Sequence, residues 1–349
     1  MFIVPVTPRQ LLPPSHRLGH SSVQVTRLGL GCAPLANMYR ELTDADATAT
    51  VDAAWHAGVR YFDTAPHYGL GLSERRLGLG LAGRHRDLFT VSTKVGRLLV
   101  PEPDGARGLD DGFLVPADHI RVWDFSADGI RRSIEGSLAR LGLDRIDLVL
   151  LHDPEHRLAE ALDQGYPALH ELRAQGVVGA IGVGSMRVDA LRRFAAATDA
   201  DALMVAGRHT LLDQSAQDEL LPICLERGIS VLNAAVFNSG MLAAEQPGAH
   251  LRYDYGAAPA ELVDRARTIA SHCLRHGTTL PAAALAFAGS HPSVASVVVG
   301  AETPGQILRN AALLNAPPPT GLWADLARVG LLRPDTPVPA PGPTAARPF

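Results

Sequence analysis

Residues 145–155 read "RIDLVLLHDPE", and from Leu148 to Leu151 the run is apolar without a break. A strand with one wet face alternates apolar and polar positions. An unbroken apolar run therefore predicts a strand buried on both faces, as parallel strands covered by helices are. The run stops at His152, and Asp153 and Pro154 follow. Titratable side chains thus stand at the carboxyl end of a buried strand, where α/β enzymes place their chemistry.

Seven other segments share this character: "RLGLGCAPL" (27–35), "GVRYFDTA" (58–65), "LFTVSTKV" (88–95), "VVGAIGVGS" (177–185), "DALMVAG" (201–207), "ISVLNAAVF" (229–237) and "VASVVVGA" (294–301). Helix-like segments alternate with them. In "TDADATATVDAAWHAG", Thr43 or Asp44 can cap the first turn and Gly58 can stop the last. "SADGIRRSIEGSLARLG" and "TPGQILRNAALL" are similar. Eight such units closing on themselves predict an α/β fold, a (β/α)8 TIM barrel. One barrel domain is expected over 17–332, after an N-terminal extension (1–16) and before a proline-rich tail (333–349) that should be extended and mobile. An open doubly wound sheet would carry a glycine fingerprint after its first strand. "GLGLAG" (Gly78, Gly80, Gly83) spells that motif, but it ends a helix and leads into a strand, so it reads as a helix terminus.

One connection is out of proportion. About thirty residues separate Lys94 from the helix near Ser126, whereas an ordinary βα loop has roughly 2 to 6. Phe113, Ile120, Val122, Trp123 and Phe125 offer it apolar anchors, and a loop of that length at the catalytic face is expected to shape a pocket.

Composition narrows the function classes. The 349 residues are 46% hydrophobic and 19% charged, with a formal charge of -4, and contain no basic run that could track a phosphate backbone. Nucleic acid is not an expected partner. Cys32, Cys224 and Cys273 are far apart, without a C-x-x-C pair, as suits reduced thiols in a cytoplasmic protein. No basic, apolar leader and no long uninterrupted apolar stretch points to export or a membrane span.

Of the 32 Lys+Arg residues only Lys94 is lysine. An ammonium is a compact point charge and a guanidinium a planar fork, so a site built on the first cannot accept the second. The strand ends supply its company. Asp63 lies at the tip of the second strand with Tyr68 five residues on, Lys94 ends the third, and His152 ends the fourth. A tyrosine ionises near pH 10, so acid–base work near pH 7 asks for a shift of about 3 units, roughly 4 kcal/mol. An ammonium ~3.5 Å away at an effective dielectric near 20 contributes about 5 kcal/mol. Asp63 would keep that ammonium charged inside an apolar barrel. His152 would hold a carbonyl oxygen or assist the proton. Singly, each residue has a plainer reading, as helix cap, rim aromatic or satisfied barrel histidine.

"FDTAPHYGLGLSE", "STKVG" and "IDLVLLHDPE" resemble the aldo-keto reductase superfamily over about residues 17–330. The resemblance implies a barrel that binds a nicotinamide dinucleotide without a Rossmann domain or a metal. It also implies a catalytic tetrad in which Tyr68 exchanges the proton, Lys94 lowers its pKa, Asp63 pairs with Lys94 and His152 orients substrate. "YGLGLSE", "KVGRLL", "AGRHTLLDQ", "VFNSGML" and "WADLARVGLLRPD" are similar to the aldose 1-dehydrogenase branch, which includes L-fucose, D-threo-aldose and pyridoxal dehydrogenases. That implies oxidation of an aldose at C1 to the lactone, with an L-galactose-like sugar, pyridoxal or a general aldehyde or ketone as alternatives. For the cofactor the resemblance implies Gly31, Ser185, Met186, Phe237, Asn238, Gly240, Gly300, Glu302, Thr303, Gln306 and Asn310, and for the substrate His67, Trp123 and Phe125.

Two positions depart from the pattern. Met186 stands where an asparagine would hold the carboxamide, with Ser185 as substitute, and His209 stands where a tyrosine is common. Positions that often carry Lys and Arg for a 2'-phosphate are Gly300 and Gln306, while Glu302 suits ribose hydroxyls, so NAD is expected over NADP. Arg309 is the one cation that could swing toward a phosphate. A Schiff-base aldolase would also use a strand-end lysine but has no use for Tyr68. A metal hydrolase could draw on His152, Asp153 and His156 but lacks a second ligand pair on the first strand. A regulatory subunit that binds dinucleotide and turns over slowly would show the same tetrad. The sequence is silent on oligomeric state.

Overall fold

Eight parallel strands close into a barrel in a computed structural model that describes residues 15–339 apart from 107, 249, 250, 255 and 334. They are β1 (Leu28–Gly31), β2 (Tyr61–Asp63), β3 (Thr90–Val95), β4 (Ile146–His152), β5 (Val178–Ser185), β6 (Ala202–Ala206), β7 (Ser230–Ala234) and β8 (Val294–Gly300). Each pairs with its neighbour in the chain, and β8 closes on β1 with Gly300 beside Gly31. The helices that cover them include α1 (Asp44–His56), α2 (Leu72–Leu81), α3 (Ala127–Leu141) and, after β8, α4 (Pro304–Leu314).

Both faces of the strands are buried, as the unbroken apolar runs require. Tyr61, Leu148, Leu150, Ala180, Met204 and Leu232 fill the barrel interior. Their chain neighbours Phe62, Val149, Leu151, Ile181, Leu203 and Val231 pack under the helices. Each fully buried Leu, Val or Phe of this kind contributes about 1.5–3 kcal/mol relative to exposure, and truncating Leu150 to Ala would cost about 2–5 kcal/mol.

The barrel's amino-terminal end is plugged by an antiparallel hairpin, Ser15–Arg17 against Gln24–Thr26. Its Leu18 and Val25 join the interior cluster, and Gly19 N–H donates to Ser230 Oγ (2.9 Å) at the start of β7. The ordered fold thus takes in Ser15 and His16 of the expected extension, and residues 1–14 lie outside the described residues. At the other end of the chain, Thr336 Oγ1 donates to Gln217 (2.9 Å) and Ser290 Oγ donates to the Pro337 carbonyl (2.7 Å). The first part of the tail is therefore docked on the barrel, while 340–349 lie outside the described residues.

Thr43 caps α1 in a reciprocal box with Asp46. "GLGLAG" is the end of α2. A Cβ on Gly78 would lie 2.2 Å from the Leu141 carbonyl oxygen, so this glycine allows α2 and α3 to touch, and Gly83 takes φ 76° just past the helix. The long third connection is a second hairpin, Arg97–Pro101 with His119–Trp123. Phe113 and Val115 are buried beneath it beside Leu70 and Tyr68, and Phe125 is buried too. Ile120 and Val122 are 41% and 39% exposed. They are not anchors, because strand alternation turns them outward while Arg121 and Trp123 face the protein.

Candidate active site

Three strand-end residues, Asp63, Lys94 and His152, meet on one rim with Tyr68 from the loop after β2. Lys94 is 2% exposed. Its Nζ donates to Asp63 Oδ2 (2.8 Å), to the Thr64 carbonyl (3.0 Å) and to the Tyr68 hydroxyl oxygen (3.1 Å). An ammonium carries three donors and all three are used. A planar guanidinium could not send three bonds from one nitrogen in these directions, which is the physical reason for a lone lysine. Burial alone works against this cation, but Asp63 and Tyr68 outweigh it and hold the amine protonated well above its ordinary range.

Strand register explains the meeting. Asp63 pairs with Ser92, and Lys94 follows Ser92 by two residues, on the same face of β3. Ser92 Oγ donates to Asp63 Oδ1 (2.7 Å) and shares a 2.9 Å hydrogen bond with the hydroxyl of the buried Tyr61. Asp63 is therefore satisfied on both oxygens. Ser92 and the Thr64 carbonyl are functional partners that motif reading missed. A polar residue two places before a barrel lysine was the available signal for Ser92.

The Tyr68 phenol accepts from Lys94, which leaves its own proton for a substrate oxygen. Burial pushes its pKa up, Lys94 pulls it down, and Asp63 pushes it up again, so the phenol lies above its ordinary 10. Lys94 lowers the pKa as expected, by charge and by hydrogen bond, but does not bring the phenol below its ordinary range. Asp63 offsets part of the ammonium's pull, and desolvation, the largest influence, decides the sign.

His152 is 6% exposed and stands edge-on to Tyr68, with ring centroids 5.8 Å apart. Burial, then Arg97 and Lys94, hold its pKa well below the ordinary value, so it is a neutral imidazole. His67 lies edge-on to His152 at 5.4 Å, and burial with the Arg121 and Arg97 charges pulls it down to about 3. Its Nδ1 is buried without a partner. Arg121 pairs with Asp110 and donates to the His67 carbonyl (2.9 Å), tying the long loop to the tyrosine's neighbour.

The other two residues named for the substrate are placed differently. Phe125 is 2% exposed, and a Cβ on Gly96 would lie 2.3 Å from its ring, so it is a core residue. Trp123 is half-buried, and its ring carries Phe125 (5.8 Å, stacked) and the Arg97 guanidinium (4.7 Å). Two open clefts elsewhere, of about 460 Å³ beside Gln24 and Thr90 and about 550 Å³ between α2 and α3, contain none of the tetrad.

On the same rim, Gly31, in register with Asp63, stands beside Gly300, and between Ala235 and Gly240 the chain takes left-handed φ at Ala235 (53°), Asn238 (44°), Ser239 (56°) and Gly240 (91°). Asn238 is 3% exposed, donates Nδ2 to the Gly207 carbonyl (3.2 Å), and keeps Oδ1 buried without a partner. Phe237 is half-buried beside it. An orphaned acceptor and two side-chain-free strand tips fit a bound dinucleotide. Thr303 caps α4, Gln306 Oε1 accepts from the Glu302 N–H (2.7 Å), and Asn310 is buried one turn on.

Several cofactor positions are already engaged. The Glu302 carboxylate, expected on ribose, accepts from Arg40 (2.9 Å), and Arg309 is bonded to the Ala243 carbonyl rather than free for a phosphate. Ser185 Oγ donates to Glu155 (2.9 Å) and accepts from Arg187 N–H (2.9 Å). The half-buried Met186 offers its carbonyl to Arg208 (3.1 Å). His209 does not line the rim: it is fully buried against Phe287, with centroids 5.0 Å apart. Among the described residues no group of three or more His, Cys, Asp or Glu side chains is placed to hold a metal ion, and no helix is long and apolar enough to cross a membrane.

Known proteins are similar to this chain over most of its length. A D-threo-aldose 1-dehydrogenase from a Pseudomonas species is 51% identical over 316 residues, covering 89% of this chain and 96% of its own. A pyridoxal 4-dehydrogenase from Microbacterium luteolum is 37% identical over 333 residues, covering 90% and 97%. The structure of an aldo-keto reductase from Bacillus halodurans in its holo form superposes with a TM-score of 0.71 at 26% identity, over 91% of this chain and 96% of that one. The model of the aldo/keto reductase family matches residues 27–329. With the family's barrel, and with Asp63, Tyr68, Lys94 and His152 joined at its carboxyl-terminal rim, this chain belongs to the aldo/keto reductase family and is an oxidoreductase.

Proposed function

We propose that the enzyme oxidises an aldose at C1 to the lactone, with NAD as the preferred cofactor. The observation that carries this reading is the bonded set Asp63–Lys94–Tyr68 in a chain 51% identical to a D-threo-aldose dehydrogenase. The bound dinucleotide supplies the hydride acceptor in oxidation and the hydride donor in reduction. Everything else is work for the protein's own residues. Tyr68, as tyrosinate, takes the proton of the anomeric hydroxyl. Lys94 stabilises the phenolate and Asp63 keeps Lys94 charged and in place. His152, neutral, orients the substrate through the one N–H it can donate. The desolvated site keeps each of these interactions stronger than in water.

NAD preference is supported by Gly300 and Gln306, which offer a 2'-phosphate no cation, and by Arg309, whose guanidinium is spent on Ala243. The buried, unbridged Cys32, Cys224 and Cys273 suit a reducing, cytoplasmic setting. A second reading is aldehyde reduction. A Tyr68 pKa above 10 keeps the phenol protonated near neutral pH, the form that donates a proton to a carbonyl. Purified protein mixed with NAD and L-fucose or L-galactose tests the first reading through the near-ultraviolet absorbance of reduced nicotinamide. No sugar oxidation, together with fast aldehyde reduction by NADPH, would overturn both substrate and cofactor.

A further inference from the structure

Beside His152 stands a charged pair that the tetrad does not use. Arg97 Nη2 donates to Asp153 Oδ2 at 2.7 Å, with side-chain exposures of 18% and 29%. The guanidinium rests on the Trp123 ring at 4.7 Å, and its Nε is buried without a partner. Asp153 follows His152 directly and takes φ 42°, ψ 58°, a left-handed conformation that non-glycine residues rarely adopt. The Asp153 N–H donates to the Gly184 carbonyl (2.9 Å) and secures that bend. A strained backbone held in this way beside a catalytic residue asks for a function.

The bend sets a distance. Asp153 Oδ2 lies 3.6 Å from His152 Nε2, too far for a good hydrogen bond between them and short enough for one oxygen to touch both. We propose that a hydroxyl on the substrate carbon next to the one oxidised bridges His152 Nε2 and Asp153 Oδ2, with Arg97 as the residue that positions Asp153. The hydroxyl donates to the carboxylate and accepts from the neutral imidazole. This makes Asp153 a specificity residue for 2-hydroxylated substrates, aldoses above simple aldehydes, and it rests on the reading of the enzyme as an aldose dehydrogenase. Arg97 comes from the long third connection, so that hairpin acts on specificity through the carboxylate it holds.

The test compares L-fucose with 2-deoxy-L-fucose as substrates for the wild type, Asp153→Asn and Arg97→Met. The wild type should favour the 2-hydroxylated sugar about 10- to 100-fold in kcat/KM, the range expected for one hydrogen bond to a charged acceptor. Asp153→Asn should bring that ratio to within about threefold of unity, chiefly by raising KM for L-fucose. Arg97→Met, which keeps the carboxylate but frees it, should lower the ratio by about tenfold, and it serves alone if Asp153→Asn does not fold. Equal use of both sugars by the wild type, or an unchanged ratio in the variants, overturns the bridge and leaves the dehydrogenase reading standing. A wild type that oxidises neither sugar overturns that reading and the bridge with it.

Discussion

Lys94 Nζ lies 3.1 Å from the Tyr68 hydroxyl oxygen and donates a hydrogen bond to it. Because the ammonium donates, the phenol's own proton remains available on the substrate side, and the pair can both give and take a proton without rearranging. At an effective dielectric near 20 this separation corresponds to about 5 kcal/mol of attraction for a phenolate, part of which Asp63 cancels.

Replacing Lys94 by Met should lower kcat/KM for oxidation about 10³-fold, or about 4 kcal/mol. It should also reduce stability by about 3–5 kcal/mol, because the Asp63 carboxylate is left buried without its cation. Lys94→Arg keeps the charge but not the three converging bonds, so a loss of about 10²-fold is expected. Steady-state kinetics and urea unfolding check both, and a Lys94→Met enzyme that keeps a third of wild-type activity would sink the assignment.

Oxidation needs Tyr68 deprotonated, and its pKa lies above the ordinary 10. With the base's pKa raised, its ionised fraction grows about tenfold per pH unit below that value. The rate of sugar oxidation should therefore climb through the neutral range and still be rising near pH ~9, while aldehyde reduction stays flat there. Tyr68→Phe should flatten the oxidation profile. An oxidation optimum near pH ~7 would contradict the proton role.

Removing the hydroxyl of Ser92 leaves one Asp63 oxygen and the Tyr61 phenol short of a partner. Ser92→Ala should lower stability by about 1–3 kcal/mol and the rate by roughly tenfold as the carboxylate loses its fixed orientation. Thermal unfolding and kcat measure the two effects. Full activity at unchanged stability would remove Ser92 from the site's support.

His209 and His67 are held neutral down to about pH 3, chiefly by burial. Once unfolded, each takes up a proton below its ordinary value near 6.5, so the unfolded state binds more protons and stability falls as pH drops through that point. Each such histidine contributes a slope of about 1.4 kcal/mol per pH unit between about pH 6 and 4. His209→Phe, far from the tetrad in the interior, should reduce the measured slope by the equivalent of one proton. Urea unfolding across that pH range gives the answer, and an unchanged slope would show that His209 protonates in the folded state.

Gln306→Arg should raise the kcat/KM ratio of NADP to NAD by at least about tenfold, since a guanidinium near the amino end of α4 gives a 2'-phosphate a charged partner. Initial rates with both cofactors test this. A wild type that already favours NADP would overturn the preference.

The sequence by itself determined the barrel and the four-residue constellation. Eight mostly apolar runs alternating with helix-like segments are the pattern of parallel strands buried under helices, and a βα chain of that count closes. Strand ends then place Asp63, Lys94 and His152 on one rim whatever the loops do. It also carried the reason for the single lysine, because a point charge and a fork are not interchangeable. Only the tertiary structure decided the sign of the Tyr68 shift, which is a balance between burial and two opposed charges, none of them a property of local sequence. The same is true of the long connection. Its hairpin register turns Arg121 and Trp123 inward and Ile120 and Val122 out. Arg97, from the same hairpin, bonds to Asp153, 56 residues later in the chain. Contacts at that separation depend on how segments fold over one another, and no local pattern of residue types encodes them.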